Sequence, residues 1–362
     1  MCIRDSPSGL FGEDNSENDY HSIVRADFTL TFQFPFLSFF FSENADYVGK
    51  WRVLDIHLHP EKIKNTRADY HTVHMEDVRK LLPLRRKFSH KGNYGHGLLI
   101  CGSYGMMGAA VLAAKACLRG GAGLVTLHVP KSGYNIVQTA IPEAIVSLDQ
   151  SDTMFTNQPD LKPFKVVGAG PGIGCRNETG NALKQLLKNV KVPMVIDADA
   201  INLLADHKDW HGLIPAGSIL TPHPKEFDRL AGQSSNSYER HLRQIEFSRN
   251  YNVYIILKGA YTGISDPEGT YFFNTSGNPG MATGGSGDVL TGLIVALLAQ
   301  DFSPREAALS AVYIHGLAGD LALEESSEEA LIAGDIIDKL GLAFRKTKEI
   351  PILDPLKGRY VF

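Results

Sequence analysis

The chain has 362 residues, of which 43% are hydrophobic and 21% are charged, a balance typical of globular proteins and unlike that of disordered chains or coiled coils. The formal net charge of −4 at pH 7 gives no overall basic field for nucleic acid, so we expect a small-molecule partner. The four cysteines show no CxxC or CxxxC pairing, which argues against a zinc or redox motif and favours a reducing, cytoplasmic setting.

The first 60 residues contain two predicted strands. Apolar and polar residues alternate over residues 27–34, a pattern typical of a strand, and a second strand is predicted over residues 51–56. The apolar run at residues 34–41 is much shorter than the roughly 18 residues that a membrane-spanning helix needs. The residues after Met1 also lack the apolar run of a signal peptide, so we expect no membrane contact.

Residues 61–85 are polar and charged and are predicted to form a linker with one short helix near residues 75–82. From residue 97 onward, short apolar runs alternate with longer helical patterns, which predicts an α/β fold with a mostly parallel sheet covered by helices on both faces. Strands are predicted at residues 97–101, 124–129, 166–168, 192–196, 218–221 and 253–257.

The most informative segment is the glycine-rich stretch from Asn278 to Asp288, which reads NPGMATGGSGD and precedes apolar residues at helical spacing. A glycine turn at the start of a helix offers backbone N–H groups and the positive end of the helix dipole to an anion such as phosphate. Asp288 would lie in the first helical turn, where an acid also has a purely structural role.

Other unusual residues follow predicted strands, at the edge where open α/β sheets bind ligands. They are the turn from Gly170 to Gly174, His223 with Glu226, and Lys258 with Gly259. Each also has a simpler explanation, because glycines form tight turns, a histidine beside prolines is often structural, and a loop lysine is often only solvated. Their shared position favours one ligand site.

The order of these motifs resembles the ADP- or ATP-dependent NAD(P)H-hydrate dehydratase family, which has a ribokinase-like fold. The matching segments extend from Gly102 to Asp288 and include the stretches GSYGMMGA at residues 102–109 and DADA at residues 197–200. The resemblance implies that the nucleotide phosphorylates the 6-hydroxyl of (S)-NADH-hydrate or (S)-NADPH-hydrate, after which phosphate leaves and restores NAD(P)H.

The resemblance also implies roles for individual residues. Asp288 would be the catalytic base, and Gly285, Ser286 and Gly287 would form the anion hole for the transferred phosphoryl group. Substrate contacts would come from Ala109, Gly170, Gly172, Gly174, His223 and Asp288. Nucleotide contacts would come from Lys258, Gly259, Ala260, Tyr261, Thr262 and Gly287. Related enzymes carry an Asn-x-x-Glu element, so Glu226 is expected near Mg²⁺.

Residues 1–60 resemble the last part of an NAD(P)H-hydrate epimerase domain, which is often fused ahead of the dehydratase. We interpret them as a truncated remnant in which residues 1–6 fit neither domain and are taken as an artefact, followed by the linker at 61–85, the dehydratase domain at 86–346 and a C-terminal tail at 347–362. In the epimerase family the serine that matches Ser8 helps to hold K⁺, so Ser8 would be a vestigial K⁺ site. We expect no epimerase activity.

Two other functions fit the same motifs. A ribokinase-like kinase for a vitamin precursor, of the hydroxymethylpyrimidine or hydroxyethylthiazole type, would share the glycine turn and Asp288 because it too phosphorylates a hydroxyl. An inactive nucleotide-binding module is the second alternative. The sequences of the motifs favour ADP over ATP, and the resemblance implies a homo-oligomer such as a tetramer. The preference for the NADH or NADPH hydrate stays open.

Overall fold

A computed structural model describes residues 2–349, 352–354 and 359–361 of the chain. Its strands are β1 (Cys2–Arg4), β2 (Phe28–Phe32), β3 (Lys50–Leu54), β4 (Tyr70–Val73), β5 (His96–Ile100), β6 (Leu124–Val129), β7 (Ile145–Leu148), β8 (Val166–Ala169), β9 (Met194–Ile196), β10 (Ile219–Leu220), β11 (Tyr254–Leu257), β12 (Gly263–Ser265), β13 (Tyr271–Asn274), β14 (Ile352–Asp354) and β15 (Arg359–Val361). The six strands predicted from residue 97 onward are β5, β6, β8, β9, β10 and β11.

The helices cover most of the remaining chain from residue 45 to 348. They are α1 (Ala45–Val48), α2 (Pro60–Asn65), α3 (Met75–Leu81), α4 (Met107–Arg119), α5 (Tyr134–Ala140), α6 (Asn177–Asn189), α7 (Ala198–Asp206), α8 (Pro224–Ala231), α9 (Ser237–Tyr251), α10 (Ser286–Ala299), α11 (Pro304–Leu323) and α12 (Ala333–Lys348). No helix among the described residues is long and apolar enough to cross a membrane.

The main sheet has ten strands among the described residues, in the order β4-β13-β12-β11-β10-β9-β8-β5-β6-β7. Its strand pairs are parallel except for β11 with β12 and β12 with β13. Since helices α4 and α6–α8 connect parallel strands or follow them along the chain, the predicted α/β class with a mostly parallel sheet is confirmed.

Successive side chains along each strand point to opposite faces of the sheet, so the hydrophobic core is divided between the two faces. In β5, Leu99 belongs to the core that α4, α10, α11 and α12 cover, whereas Leu98 and Ile100 belong to the core beneath α6, α7, α8 and α9. Successive side chains of a strand point to opposite faces, so a strand covered on both sides is apolar throughout. This is why β5 and β8 were recognisable as short apolar runs.

The prediction that residues 61–85 form a linker with one short helix was incomplete. The helix is present as α3, but α2 precedes it, and β4 pairs in parallel with β13 as part of the main sheet. Tyr70 and His71 are exposed while Val73 is buried, because β4 lies at the edge of the sheet. An edge strand has polar residues at its exposed positions, so the sequence of β4 resembles that of a linker.

Residues 2–54 contain a small sheet in the order β1-β2-β3 and also pack against the main domain. Phe41 shares a buried cluster with Ile245, Tyr271 and Phe273. The Ser237 N–H donates to Glu43 Oε1 at 2.9 Å, across 194 positions of sequence. At the other end, β14 and β15 pair antiparallel, and residues 350–351, 355–358 and 362 of the predicted tail lie outside the described residues.

The turn after β8 contains a glycine whose backbone has no room for a side chain. Gly170 has φ +132°, and a Cβ added there would lie 1.8 Å from the carbonyl oxygen of Asp197. We expect Gly170→Ala to lower the free energy of unfolding by at least about 3 kcal/mol, since it adds a backbone clash to an unfavourable φ.

Gly174→Ala is the matched control, because Gly174 has φ +79° but nothing within 4 Å of the added Cβ. This variant should lose only about 1 kcal/mol, from backbone conformation alone. Urea unfolding followed by circular dichroism measures both values. Equal losses in the two variants would contradict the close approach of Gly170 to Asp197.

Candidate active site

Four adjacent strands of the sheet, β8, β9, β10 and β11, end at the same edge, and each is followed by residues that the sequence singled out. The turn from Gly170 follows β8, His223 comes shortly after β10, and Lys258 comes directly after β11. Asp197 follows β9 and begins α7. The first turn of α10 lies at the same edge, so the structure brings the separate motifs into one region.

A buried ion pair occupies the centre of this region. The Nζ of Lys258 donates to Oδ1 of Asp197 at 3.0 Å, and the hydroxyl of Thr291 donates to Oδ2 of the same carboxylate at 2.8 Å. The Asp197 side chain is 2% exposed and that of Lys258 is 26% exposed. Because Thr291 belongs to α10, Asp197 connects the ends of β9 and β11 to that helix.

Asp288 lies beside this pair, in the first turn of α10. Burial is the main cause that raises the pKa of its carboxyl to about 6, and the negative charge of Asp197 adds to this effect. Lys258 acts in the opposite direction, while Asp199 raises the pKa further. A carboxylate with such a pKa is a better proton acceptor near neutral pH than an exposed aspartate.

Lys258 keeps its positive charge in this environment. Burial alone lowers the pKa of its ammonium group, but the carboxylates of Asp197, Glu226 and Asp288 outweigh that effect and hold the pKa above its usual value. The site therefore contains one lysine close to three carboxylates.

The start of α10 depends on a glycine in the left-handed conformation. Gly285 has φ +89°, and a Cβ there would lie 2.4 Å from Cδ1 of Leu112 and 3.2 Å from Cβ of Ala333. The Ser286 N–H donates to the Thr283 carbonyl at 3.4 Å, which is a long and weak bond. The N-terminal end of α10 therefore approaches Leu112 and Ala333 closely.

Behind this turn lies a histidine that the sequence did not single out. His315 Nε2 lies 3.4 Å from the hydroxyl of Ser286. Burial lowers the pKa of His315 to about 4, so its imidazole is neutral at physiological pH. It orients the Ser286 hydroxyl without adding a positive charge to the site.

The turn at Gly170–Gly174 lies against the start of α4. A Cβ on Gly172 would be 3.3 Å from that of Ala109 and 3.0 Å from the Met106 carbonyl oxygen. The Gly174 N–H donates to Oδ2 of Asp199 at 2.8 Å. Ala109, this turn and Asp199 are thus neighbours. Contact of Ala109 and of the turn with a substrate stays a prediction.

His223 has the structural role that was its simpler explanation. It caps α8, since its Nδ1 accepts the Glu226 N–H at 3.2 Å and Glu226 Oε2 accepts the His223 N–H at 2.8 Å. The Glu226 side chain is 8% exposed, whereas that of His223 is 46% exposed. Contact of His223 with a substrate stays a prediction.

The predicted nucleotide-binding segment is a compact turn closed by Thr262. The Thr262 hydroxyl donates to the Gly259 carbonyl at 3.0 Å and lies 3.3 Å from the Gly259 N–H. Gly259 and Ala260 are exposed, while Tyr261 is half-buried. The turn presents backbone groups to solvent next to the Lys258 ammonium group.

Sequence reasoning missed two residues of this region, Thr291 and His315, and it assigned no role to Asp197. The stretch at 197–199 was singled out as the end of a strand at the ligand-binding edge, but no signal pointed to the partner of Asp197, which lies 61 residues away. Thr291 and His315 stand within apolar helical patterns, where a polar residue has no sequence feature that reveals what it contacts.

The N-terminal residues belong to the region that this chain shares with bifunctional relatives. The chain is 36% identical over 359 residues to the bifunctional NAD(P)H-hydrate repair enzyme Nnr of Moorella thermoacetica, and the match covers 95% of this chain and 67% of that protein. This coverage does not support the interpretation of residues 1–60 as a truncated remnant. The K⁺ assignment also lacks support, since Ser8 is exposed and its carbonyl accepts the Val24 N–H.

Solved structures agree with the fold. The chain resembles an ADP/ATP-dependent NAD(P)H-hydrate dehydratase from Bacillus subtilis co-crystallised with ATP/Mg²⁺, at 30% identity and a TM-score of 0.65, over 76% of this chain and 98% of that one. It also resembles a ribokinase-like superfamily protein from Enterococcus faecalis, at 28% identity and a TM-score of 0.67, over 78% and 98% of the two chains. This likeness confirms the ribokinase-like fold.

A family model described as NAD(P)H-hydrate dehydratase matches residues 97–341. The match extends from β5 into α12 and therefore includes Asp197, Lys258 and Asp288. The chain belongs to the NAD(P)H-hydrate dehydratase family.

Proposed function

We propose that this chain converts (S)-NADH-hydrate or (S)-NADPH-hydrate to NAD(P)H in a reaction driven by ADP or ATP. The observation that carries the proposal is the position of Asp288, whose pKa is raised to about 6, at the N-terminal end of α10 beside Lys258. Family membership supports the reaction class, and the neighbouring turns supply surfaces for both reactants.

In the first step Asp288 accepts the proton of the substrate's 6-hydroxyl. The hydroxyl oxygen attacks the terminal phosphorus of the nucleotide, forming a new O–P bond while the bond to the leaving phosphate oxygen breaks. AMP is released from ADP, or ADP from ATP. Gly285, Ser286 and Gly287 surround the transferred group with the positive end of the helix dipole, which stabilises its negative charge.

The second step is the loss of phosphate from C6. The lone pair of the ring nitrogen expels the phosphate, and a proton leaves the adjacent C5 to restore the double bond of the reduced nicotinamide. Phosphorylation has turned the hydroxyl, a poor leaving group, into phosphate, a good one, so this step needs little catalysis by the protein. In this proposal Ala109, His223 and the turn formed by Gly170, Gly172 and Gly174 hold the hydrated ring.

The nucleotide would bind along Lys258, Gly259, Ala260, Tyr261 and Thr262, with Gly287 at the transferred phosphate. Asp197, Glu226 and Asp288 surround Lys258, so the fixed charges are more negative than positive. A polyphosphate adds further negative charge, and Mg²⁺ would offset it through one or two carboxylates and the phosphates themselves. Glu226 fits the Mg²⁺ shell because it is acidic, nearly buried and held in place by the His223 N–H.

Two parallel assays, one for recovery of NAD(P)H and one for phosphorylation of a vitamin precursor, test the function. The chain is incubated with (S)-NADH-hydrate, Mg²⁺ and either ADP or ATP, and recovery of the reduced-nicotinamide absorbance is followed together with formation of AMP or ADP. Recovery that needs the nucleotide supports the proposal, and the two nucleotides compared directly test the preference for ADP. Phosphorylation of a vitamin precursor without recovery would favour the kinase, and no reaction in either assay would favour the inactive module.

The role of Asp288 predicts the outcome of a conservative substitution. Asp288→Asn keeps the shape of the side chain but removes the base, so turnover should fall by about 10²- to 10⁴-fold, while nucleotide affinity stays within a few-fold. Turnover and equilibrium binding of ADP and ATP are the measurements.

Asp301→Asn is the control for this substitution, because Asp301 follows the opposite end of α10 and pairs with Lys165 at 2.5 Å. It should keep the rate of the unsubstituted protein. If Asp288→Asn kept most of its rate as well, Asp288 would not be the base.

The raised pKa of Asp288 predicts an acidic limit to activity. The base must be deprotonated, so kcat/KM for the hydrate, with the nucleotide kept well below its own KM, should be full above the pKa and fall as the pH drops through about 6. Since Lys258 lowers this pKa, Lys258→Gln should move the midpoint to higher pH even if the maximal rate is reduced.

Lys165→Gln removes a lysine that pairs with Asp301, away from the site, and should leave the midpoint unchanged. The shape of the pH profile decides the outcome, since kcat/KM reports ionisation in the free enzyme. A midpoint near that of an ordinary aspartate would show that Asp288 does not control the profile.

The Mg²⁺ role of Glu226 predicts a change in metal requirement without loss of stability. Glu226→Gln keeps an oxygen that accepts the His223 N–H but removes the charge, so the Mg²⁺ concentration for half-maximal rate should rise by about tenfold. Titration of the rate with Mg²⁺ at fixed nucleotide measures this, and thermal unfolding confirms that α8 is intact. An unchanged Mg²⁺ requirement would remove Glu226 from the metal shell.

A further inference from the structure

The predicted nucleotide turn contacts the N-terminal segment of the chain through aromatic rings. Phe40 meets Tyr261 edge to face, with ring centroids 5.1 Å apart at 83°. Trp51, from β3, lies 6.0 Å from the same tyrosine ring and 5.7 Å from Phe40. Two residues from the first 54 therefore flank one residue of the turn.

Phe40 is itself fixed to the main sheet. Its ring stacks on that of Phe273 in β13, with centroids 4.2 Å apart and an angle of 16° between the rings. The neighbouring Phe41 is 4% exposed. Two polar contacts hold the segment in place at the start of α9, since Ser42 Oγ lies 3.2 Å from Ser237 Oγ, and Glu43 accepts the Ser237 N–H.

The Trp51 side chain also affects the hydroxyl of Tyr261. Burial raises the pKa of this hydroxyl, and Trp51 partly offsets that effect. Within the turn, Gly259 and Ala260 are exposed and have little or no side chain to anchor them. The conformation of this exposed part is therefore set by its two ends, Lys258 at one and Tyr261 with Thr262 at the other.

We propose that Phe40 and Trp51 are positioning residues for the nucleotide turn, which they hold in its binding conformation through Tyr261. The inference rests on the proposed function, because it takes residues 258–262 as the nucleotide site. It assigns the N-terminal segment a part in the affinity of the dehydratase domain for its nucleotide, and it makes the Trp51 environment sensitive to occupancy of the turn.

The first test separates nucleotide binding from chemistry. Phe40→Ala removes the ring that packs against Tyr261, so the KM for ADP or ATP should rise by about fivefold while kcat changes little. Phe34→Ala is the matched control, because it truncates the same side chain in the same segment, where Phe34 is 52% exposed, and should alter neither constant. If Phe40→Ala does not fold, Phe40→Leu retains most of the volume without the ring and takes its place.

The second test uses fluorescence, since the chain has two tryptophans, Trp51 and Trp210. Addition of ADP or ATP should change the emission of the unsubstituted protein, and Trp51→Phe should abolish that change. Trp210 is 4% exposed and stacks on His207 at 4.0 Å, so its emission should be constant. Trp51→Phe also serves as the control for light absorption by the nucleotide.

The outcomes distinguish this inference from the proposed function. It is overturned if the unsubstituted protein binds nucleotide but Phe40→Ala raises KM no more than Phe34→Ala does, or if the fluorescence change persists in Trp51→Phe. Nucleotide binding without recovery of NAD(P)H would overturn the proposed function alone. No nucleotide binding by the unsubstituted protein would overturn both.

Discussion

The hydrogen-bonded ion pair between Asp197 and Lys258 determines the arrangement of the candidate site. Both groups lose much of their hydration in the fold, so each needs the other, and loss of one partner from a buried pair commonly costs about 3–5 kcal/mol. The Thr291 hydroxyl completes the carboxylate's hydrogen bonds. Since these residues come from the ends of β9 and β11 and from α10, the pair fixes the start of α10 against the carboxyl edge of the sheet.

Burial, together with the arrangement of this pair, explains why Asp288 has an unusual pKa. Lys258 is the nearby cation, but its hydrogen bond goes to Asp197 and not to Asp288. Asp288 therefore has the burial and the repulsion from Asp197 without a full compensating bond, and its pKa rises to about 6. The environment that disfavours its charge also strengthens it as a proton acceptor, which is a common compromise between stability and function at active sites.

Much of this site could be predicted because its residues follow strands. The apolar runs of β8 to β11 and the glycines of the turns are local signals, and the topology of a parallel sheet brings the strand ends together. The pairing of Asp197 with Lys258 could not be predicted from these signals, since it depends on how two strand ends and a helix meet. His315 was missed because it occupies a buried position in α11 among alanines and other apolar residues.

The edges of the fold were harder to predict than its centre. A central strand is covered on both faces and reads as an apolar run, whereas β4 has one protected position, Val73, at its end. The aromatic residues at 39–41 are recognisably apolar in the sequence. Their composition gives no indication, however, of which surface buries them. Only the three-dimensional structure shows that Phe40 stacks on Phe273, because that contact joins residues far apart in sequence.

These two kinds of long-range contact meet at the nucleotide turn. Lys258, at one end, is held by the carboxylate of Asp197, which follows β9. Tyr261, at the other end, is held by the rings of Phe40 and Trp51 from the N-terminal segment. Between them Gly259 and Ala260 leave the backbone accessible to a ligand. A short exposed turn with both ends fixed loses little conformational entropy when a ligand binds. The fold therefore prepares this turn by restraining its ends, without placing bulky side chains in the space that a nucleotide would occupy.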